Sequence, residues 1–380
     1  MSVVLGSLIS KVPQTRCGDG SYPVLSMTMH DGIVFQQDRF SKVIASRDTT
    51  NYKVVKRGQL VVGFPINEGV IYPQTIVDVG IMSPAYSVWD IDQSSVDIGY
   101  LNYCLHSPAS MKYYADKLRG STARRKSLPT PQLLALPIYL PPLDIQRRIA
   151  AVLDKAKSLI AARREQIAVL DKLSKDLFID MFGDMNTNPM KWEMKNLLAV
   201  ASIDTHMTSD FEKYADCYHI GIENIEKNSG AIINPTKVKD SGLISGKYPF
   251  DSRHIIYSKI RPNLNKVALP DFVGLCSADS YPILPKNDVC DRIYLAFVMR
   301  SEFFLSYILD FSGRSNIPKV NKQQLSSFNL PTPPIELQRE FAKKVTAINR
   351  QKSRLVESLT ELETLYKSLT QRAFAGELFT

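Results

Sequence analysis

The segment 258–267 carries polar side chains of the kinds that contact nucleic-acid bases and phosphates. Four of them alternate along the chain and a fifth follows directly, namely Lys259, Arg261, Asn263, Asn265 and Lys266. An Arg guanidinium suits a guanine edge or a phosphate, and an Asn amide suits an adenine edge. If the preceding strand continues past Pro262, the alternation places the first four on one face. The segment therefore predicts a DNA-contacting surface; the alternative is an exposed polar strand end.

Other loops of the second half carry weaker candidates. Ser277 and Asp279 could accept a hydrogen bond from a cytosine amine, although a turn closed by these side chains explains the same residues. Asn224 and Lys227 flank a turn and are further candidates for DNA contact. Phosphate contact is plausible for two residues of the loop before the second proline pair, Arg314 and Asn316.

The first half has its own set of candidate DNA-binding residues. They are Arg16, Gln36, Gln37, Arg39, Lys42, Ser83, Arg124 and Arg125, with Lys126 beside them. The two glutamines follow an apolar strand at 33–35, so one of them should point outward. His30 is more often a histidine that stabilises a turn than one that reads DNA.

Motifs of common nucleotide-dependent and metal-dependent enzymes are missing from the sequence. It has no GxGxxG or GxxxxGK(S/T) phosphate loop, no HExxH and no zinc-deaminase signature. It also lacks the Asn/Asp-Pro-Pro-Tyr/Phe motif of amino-methyltransferases. Glu193-Met194-Lys195 has the ExK form of some nucleases, with Asp184 upstream, but such triplets arise readily by chance. We expect no catalytic residue and no metal site in this chain.

A repeated helix positions these loops. Pro141-Pro142 and Pro333-Pro334 lie 192 residues apart, and an acidic residue follows each pair, where the helix dipole favours negative charge. A seam with alternating steps of four and three then continues in both copies. Its positions are 149, 153, 156, 160, 163, 167, 170, 174, 177 and 181, and the same numbers plus 192.

The length of this pattern predicts two unusually long helices, the first over 145–182. A helix of ~40 residues is ~60 Å long at 1.5 Å per residue, too long for an ordinary core helix. We expect the two helices to pack on each other as an antiparallel coiled coil. Polar seam residues (Arg163, Ser174 and Lys352) would help to set the register. The alternative is two unrelated surface helices, each packed on its own domain.

The composition is that of a folded chain of two to three domains, with 380 residues, a net charge of +9 and a pI near 9.1. The basic balance points weakly to a polyanionic partner, although a solvated basic surface gives the same number. No run of 18 apolar residues and no signal-peptide pattern occurs, and five scattered cysteines suggest reduced buried thiols. We expect a cytoplasmic protein.

Two globular segments repeat around the helices. Strands are predicted at 22–27, 53–55, 59–64 and 86–89, and a helix at 100–118. Gly80-Ile81-Met82-Ser83 aligns with Gly274-Leu275-Cys276-Ser277, whereas the loops between such anchors differ. The predicted fold is α+β, with two mixed α/β domains in pseudo-twofold tandem repeat. The predicted boundaries are 1–140 (domain 1), 141–186 (helix 1), 187–332 (domain 2) and 333–380 (helix 2).

The sequence resembles the specificity subunit of type I restriction–modification systems over essentially its whole length. The resemblance rests on the half-length repeat and on four segments: Leu330 to Arg339, its partner Leu140 to Arg147, Ser258 to Val267, and His219 to Ile225. The first half departs from this pattern, because Val62-Gly63-Phe64-Pro65 stands where the second half has Lys259-Ile260-Arg261-Pro262. Its DNA contacts are correspondingly harder to assign by residue.

The resemblance implies a non-catalytic DNA-reading subunit. Each globular domain would act as a target-recognition domain for one half of a bipartite asymmetric site, and the helices would set the spacer. Its partners would be double-stranded DNA, two adenine-N6 methyltransferase subunits and up to two motor-nuclease restriction subunits. S-adenosylmethionine would belong to the methyltransferase subunits, and ATP and Mg to the restriction subunits. The alternatives are a coiled-coil scaffold with weak nonspecific DNA binding, and a self-contained nuclease or methyltransferase.

Overall fold

The computed structural model describes residues 2–29, 31–39, 48–118, 128–311 and 318–379, with only the backbone of Arg39. Its contacts divide the chain into two compact units. Unit 1 comprises Met1–Arg164 and Glu357–Thr380, and unit 2 comprises Glu165–Val356. Both divisions fall within long helices, so each unit contains the start of one helix and the end of the other. The predicted boundaries between recognition domains and spacer helices stay a prediction.

The first half of the chain forms short strands and helices before the first long helix. The strands are β1 (Ser2–Val4), β2 (Ile9–Lys11), β3 (Leu25–Met27), β4 (Ile33–Phe35), β5 (Lys53–Lys56), β6 (Leu60–Val62), β7 (Ile71–Pro73), β8 (Val79–Met82), β9 (Ser87–Ile91) and β10 (Pro137–Tyr139). The helices are α1 (Gln36–Arg39), α2 (Ile98–Leu105), α3 (Pro108–Lys117), α4 (Thr130–Leu134) and the long α5 (Leu143–Phe182).

The second half follows the same order. Its strands are β11 (Glu193–Asn196), β12 (Ala201–Ile203), β13 (Tyr218–Ile220), β14 (Thr236–Lys237), β15 (Tyr248–Phe250), β16 (Ile255–Ser258), β17 (Val267–Ala268), β18 (Gly274–Cys276), β19 (Ser280–Pro285) and β20 (Asn329–Thr332). Its helices are α6 (Leu197–Val200), α7 (Arg292–Arg300), α8 (Glu302–Asp310), α9 (Lys322–Ser326) and the long α10 (Ile335–Ala375).

The strand pairing of unit 1 recurs in unit 2, ten strands further along the chain. The antiparallel sheet β2-β9-β6-β7 corresponds to β12-β19-β16-β17, and the pair β1-β10 corresponds to β11-β20. The second sheet of unit 2, β14-β13-β18-β15, includes one parallel pair. Unit 1 has the pairs β3-β4 and β5-β8 and a parallel bridge between Val24 and Ile81 in the same places. The predicted repeat of mixed α/β architecture is therefore confirmed.

In the first half of the chain, the predicted strands are confirmed and one predicted helix differs. Strands β3, β5, β6 and β9 lie within or overlap the predicted segments. The predicted helix at 100–118 is instead two helices, because the chain turns at Ser107. The Ser107 hydroxyl accepts a hydrogen bond from the Ser110 amide, and Pro108 occupies the first turn of α3. A serine N-cap followed by proline starts a new helix rather than continuing the old one.

Within each unit, the two long-helix segments pack antiparallel. In unit 1, Arg164 donates a hydrogen bond of 2.6 Å to Glu363, and Arg148 near the start of α5 lies 4.2 Å from the ring centroid of Phe379, four residues past the end of α10. In unit 2, Asp171 pairs with Lys352 further along α5, and the rings of Phe182 and Phe341 lie 5.2 Å apart. In both units, higher numbers on α5 meet lower numbers in the α10 segment. This confirms the predicted antiparallel helix pair.

The predicted seam faces inward along both helices. Every predicted position is buried or half-buried, including the polar Arg163, Ser174 and Lys352. After Ser174 the most buried side chains of α5 are Phe178 and Phe182, one residue beyond the predicted positions. The shift arises because the end of α5 packs on α7 as well as on α10. Phe178 stacks on Phe297 of α7 at 5.7 Å between ring centroids.

A buried glutamine near the start of each long helix ties that helix to the fold of its unit. Gln146 is 1% exposed; its Oε1 accepts from the Asp97 amide, and its Nε2 donates to the carbonyls of Ser95 and Pro141. Asp97 is itself the N-cap of α2. All three hydrogen bonds of the side-chain amide therefore help to fix the position at which the long helix begins after the proline pair.

Gln338 makes the same three bonds in unit 2. It is fully buried, accepts from the Asp291 amide at 2.9 Å, and donates to the carbonyls of Val289 and Pro333. Asp291 caps α7 as Asp97 caps α2. The repeated Pro-Pro-x-x-x-Gln phrase thus encodes one structural joint, used twice.

Replacing Gln338 by Ala should lower the stability of the chain by about 2–4 kcal/mol, since it leaves a buried N–H and two buried carbonyls without partners. Urea unfolding of the full chain, followed by circular dichroism, measures the effect. Gln351→Ala on the exposed face of α10 is the matched control and should change stability by less than about 0.5 kcal/mol. Equal stabilities for the two variants would contradict the role of the joint.

Candidate DNA interface

The segment after β16 turns instead of continuing as a strand. Strand β16 ends at Ser258, and Pro262–Leu264 forms a single 3-10 turn. Arg261 and Asn265, on either side of it, have left-handed backbones with φ of 49° and 47°. The expectation that alternation places four polar side chains on one strand face is therefore wrong. A strand cannot pass through two left-handed residues around a proline.

Three of the predicted DNA-binding residues use their side chains inside unit 2. Asn265 is 7% exposed and donates to the Arg300 carbonyl at 2.9 Å. Lys266 Nζ donates to the Ile222 carbonyl at 2.6 Å. Asn224 accepts from the Gly221 amide and donates to the carbonyl of Ile233. These contacts shape the loops, and a direct role of the three residues in DNA binding stays a prediction.

Lys259 is held between two tyrosine rings. Its Nζ lies 4.8 Å from the ring centroid of Tyr281 in β19 and 5.9 Å from that of Tyr248 in β15. Burial lowers the pKa of Lys259, nearby Lys319 lowers it further, and Asp279 opposes the shift. The backbone fixes the residue as well, because its amide donates to the Asp279 carbonyl and its carbonyl accepts from the Val320 amide. The two rings and the two backbone bonds place one cation at a defined position.

Ser277 and Asp279 close the turn beside Lys259. The Ser277 hydroxyl accepts from the Asp279 amide at 3.1 Å, which is the turn interaction considered as the alternative above. Asp279 pairs with Lys319, with 3.5 Å between Oδ1 and Nζ. We call Tyr248, Lys259, Ser277, Asp279, Tyr281 and Lys319 the Lys259 surface. Three other predicted residues, Lys227, Arg261 and Asn263, have exposed side chains.

Unit 1 carries a cluster of cations near the equivalent turn. Arg16 bridges to Lys53 through the backbone and donates to Asn51 at 2.8 Å. Lys53 Nζ donates to the Tyr86 carbonyl in the turn between β8 and β9. The pKa of Lys53 is lowered by burial and then by Arg16 and Lys11. The cluster lies on the same side of the repeat as the Lys259 surface, but its cations come from other strands.

The remaining candidates of the first half are placed as follows. Ser83 accepts from the Ala85 amide in this same turn, so Arg16 and Ser83 lie near one another around Lys53. Gln36 is half-buried and Gln37 is exposed, in agreement with one glutamine pointing outward, although both lie in α1. Several candidates lie outside the described residues: His30, Lys42, Arg124, Arg125, Lys126, Arg314, Asn316 and the side chain of Arg39.

Sequence reasoning missed Lys11, Lys53, Tyr248, Tyr281 and Lys319. The repeat offered a signal for two of them. The aligned residues Met82 and Cys276 pair with Lys53 and Tyr248 in their sheets. When a position aligns in the two halves, the residue paired with it in the neighbouring strand is therefore also a candidate for DNA contact. Tyr281 and Lys319 have no comparable signal, because they reach Lys259 only through sheet pairing across distant parts of the chain.

The described residues carry neither a metal-binding cluster nor a membrane-spanning helix. The part of the chain that the structure describes contains no group of three or more His, Cys, Asp and Glu residues able to hold a metal ion. Glu193 of the ExK triplet pairs with its own neighbour Lys195 at 3.1 Å. None of the described helices is both long and apolar enough to span a bilayer.

Comparisons with known proteins agree with the repeated fold. The type I restriction modification DNA specificity domain matches residues 189–364. The type I restriction enzyme EcoDI specificity subunit of Escherichia coli is 31% identical over 194 residues, which cover 50% of this chain and 43% of that protein. The MjaVIII specificity subunit of Methanocaldococcus jannaschii is 23% identical over 362 residues, covering 87% of this chain and 80% of that protein.

A solved structure extends the likeness across both units. The S subunit of a type I restriction-modification system from M. genitalium matches 98% of this chain and 96% of its own, with a TM-score of 0.63 at 12% identity. Residues 189–364 therefore match the type I specificity domain, and the chain as a whole resembles type I specificity subunits. Specificity subunits of type I systems are non-catalytic DNA-recognition proteins, and the α+β fold with its long-helix pair is that of the family. The expected resemblance is thereby confirmed.

The inward contacts of Asn265 give a test that separates its structural role from DNA contact. Asn265→Ala should lower stability by about 1–3 kcal/mol, because it removes a buried hydrogen bond and places Ala at a left-handed position. Asn263→Ala, two residues earlier on the exposed side of the turn, is the control and should leave stability within about 0.5 kcal/mol. Thermal unfolding checks both; an unchanged midpoint for Asn265→Ala would return the residue to the DNA-contacting set.

Proposed function

We propose that this chain is the sequence-reading subunit of a type I restriction–modification complex, with each unit reading one half of a bipartite asymmetric DNA site. The observation that supports this most is a repeated strand pairing that carries different cations at the equivalent turn. Unit 1 presents Lys53 from β5, whereas unit 2 presents Lys259 from the end of β16. Two units that share one strand arrangement but differ in their polar side chains suit two half-sites of different sequence.

The long helices would fix the number of base pairs between the half-sites. α5 and α10 span Leu143–Phe182 and Ile335–Ala375 with the buried seam described above. The Arg164–Glu363 and Asp171–Lys352 ion pairs favour one register of the helix pair. A fixed register gives a fixed spacer, as dimer geometry fixes the spacing of operator half-sites.

The outer faces of these helices would bind two adenine-N6 methyltransferase subunits and, in the full complex, up to two restriction subunits. Exposed apolar side chains on α5 support this role: Val169 is 58% exposed, Leu173 47% and Ile179 58%. Val169 and Leu173 lie one helical turn apart, and neighbouring exposed apolar side chains of this kind can form part of a protein-binding surface. S-adenosylmethionine would be held by the methyltransferase subunits, and ATP and Mg by the restriction subunits.

Methylation of host DNA tests the proposal directly. The chain is co-expressed with the methyltransferase subunit encoded beside it, and N6-methyladenine is mapped by single-molecule sequencing. We expect methylation of one split motif whose two halves differ, since the polar loops of the two units differ. A complex that assembles and binds S-adenosylmethionine but adds no methylation would contradict the proposal and favour a coiled-coil scaffold.

Lengthening both long helices by one heptad should lengthen the spacer and leave the half-sites unchanged. Seven residues are inserted after Arg164 and seven after Val356, so that the seam keeps its phase. The added rise of ~10 Å corresponds to ~3 base pairs of B-DNA. The methylated motif is the measurement, and a seven-residue insertion in the loop after Met185 is the control. Retention of the original spacer by the helix variant would refute the spacing role.

A further inference from the structure

The Lys259 side chain is held in a fixed position in unit 2, although its ammonium group forms no hydrogen bond or ion pair with the residues that the structure describes. The residue is only 8% exposed. Within the described ranges, its Nζ has neither a hydrogen-bond acceptor nor a carboxylate in ion-pair distance; Asp279 is paired with Lys319 instead. The ammonium nitrogen itself is not fully buried, so it keeps contact with solvent. Burying the stem of an unpaired cation lowers stability, which makes a binding role the more economical explanation.

The rings that hold Lys259 are fixed in turn by the sheets. Tyr281 lies opposite Tyr257 in the β16–β19 ladder, and Tyr248 lies opposite Cys276 in the β15–β18 ladder. Tyr248 and Tyr281 are 8% and 7% exposed, so neither ring has room to move aside. The ammonium donors are therefore preorganised, and binding would cost little additional side-chain entropy.

A preorganised lysine suits a base edge better than a phosphate. Phosphate contacts tolerate flexible side chains, and exposed cations such as Lys319 and Arg261 are available for them. A base contact needs a donor at one fixed place in the groove, and lysine pairs there with the O6 and N7 acceptors of guanine. The rings leave the Lys259 ammonium with such a fixed place.

We propose that Lys259, held by Tyr248 and Tyr281, reads one guanine in the major groove of the half-site bound by unit 2. The inference rests on the proposed function, because it presupposes a complex that recognises a split site. It assigns one specificity-determining residue within that site. It also gives the two halves different candidate readers, because the first-half segment aligned with Lys259-Ile260-Arg261-Pro262, namely Val62-Gly63-Phe64-Pro65, contains no lysine.

The wild-type complex provides the first test, without any variant. Once the methylated motif is known, each guanine is replaced by 7-deazaguanine in a short duplex, and binding of the chain with its methyltransferase subunits is measured by fluorescence anisotropy. One replacement, in one half-site, should weaken binding at least about five-fold, since N7 is an acceptor for lysine. Insensitivity to every 7-deaza replacement, or a split motif with guanine in neither half, would overturn the inference.

Lys259→Met identifies the residue. Methionine keeps an unbranched apolar stem between the rings and removes the ammonium donors. The variant should accept other bases at one position of one half-site, with a roughly ten-fold or greater loss of discrimination, and should no longer respond to the 7-deaza replacement. Its other half-site should stay unchanged in the methylation map.

Lys319→Met is the matched control, because it removes a neighbouring cation that is exposed and paired. It should weaken binding to all sequences alike and reduce the dependence of affinity on salt, with the motif unchanged. The same uniform weakening by Lys259→Met would mean that Lys259 contacts phosphate, and would overturn the base-reading role. Absence of any split motif in the wild type would instead refute the proposed function itself, so the two failures are distinguishable.

Discussion

The architecture depends on one side-chain amide used twice, that of Gln146 in unit 1 and of Gln338 in unit 2. Each amide joins an N-cap amide, a loop carbonyl and a proline carbonyl, and each is almost fully buried. Because a buried polar group must keep its partners, the direction of the long helix is locked to the helix that covers the sheet. Strand β5 with Lys53 and the turn after β16 with Lys259 belong to the same two units, so the joint also limits how these residues can be placed relative to the helix of their own unit.

The repeated strand arrangement and the polar surfaces are determined by different interactions. Sheet pairing and apolar packing determine the frame, and they tolerate different residues at strand ends. In unit 1 the Lys53 ammonium is used within the protein, on the Tyr86 carbonyl, with Arg16 and Lys11 nearby. In unit 2 the Lys259 ammonium stands between rings and has no such partner within the described residues. One frame can therefore carry two recognition surfaces without loss of its core.

The sequence predicted the features that depend on periodicity and repetition, and it missed those that depend on local backbone or distant pairing. The heptad seam, the long helices and the tandem repeat were all readable, because apolar spacing persists over many residues. The end of the strand at Ser258 could not be predicted, because the alternating pattern gives no sign of left-handed backbones at Arg261 and Asn265. Nor could the rings around Lys259 be predicted, because Tyr248 and Tyr281 meet only when two separate ladders form.

The discontinuity of unit 1 has a consequence for biosynthesis. Unit 2 is one continuous stretch, Glu165–Val356, whereas unit 1 needs Glu357–Thr380 to complete its core, in which Ala373 is fully buried. On the ribosome, the segment made first must therefore wait, with part of its apolar surface uncovered, until the last helix emerges. The residues that complete the core of unit 1 are therefore translated after all of those that form unit 2.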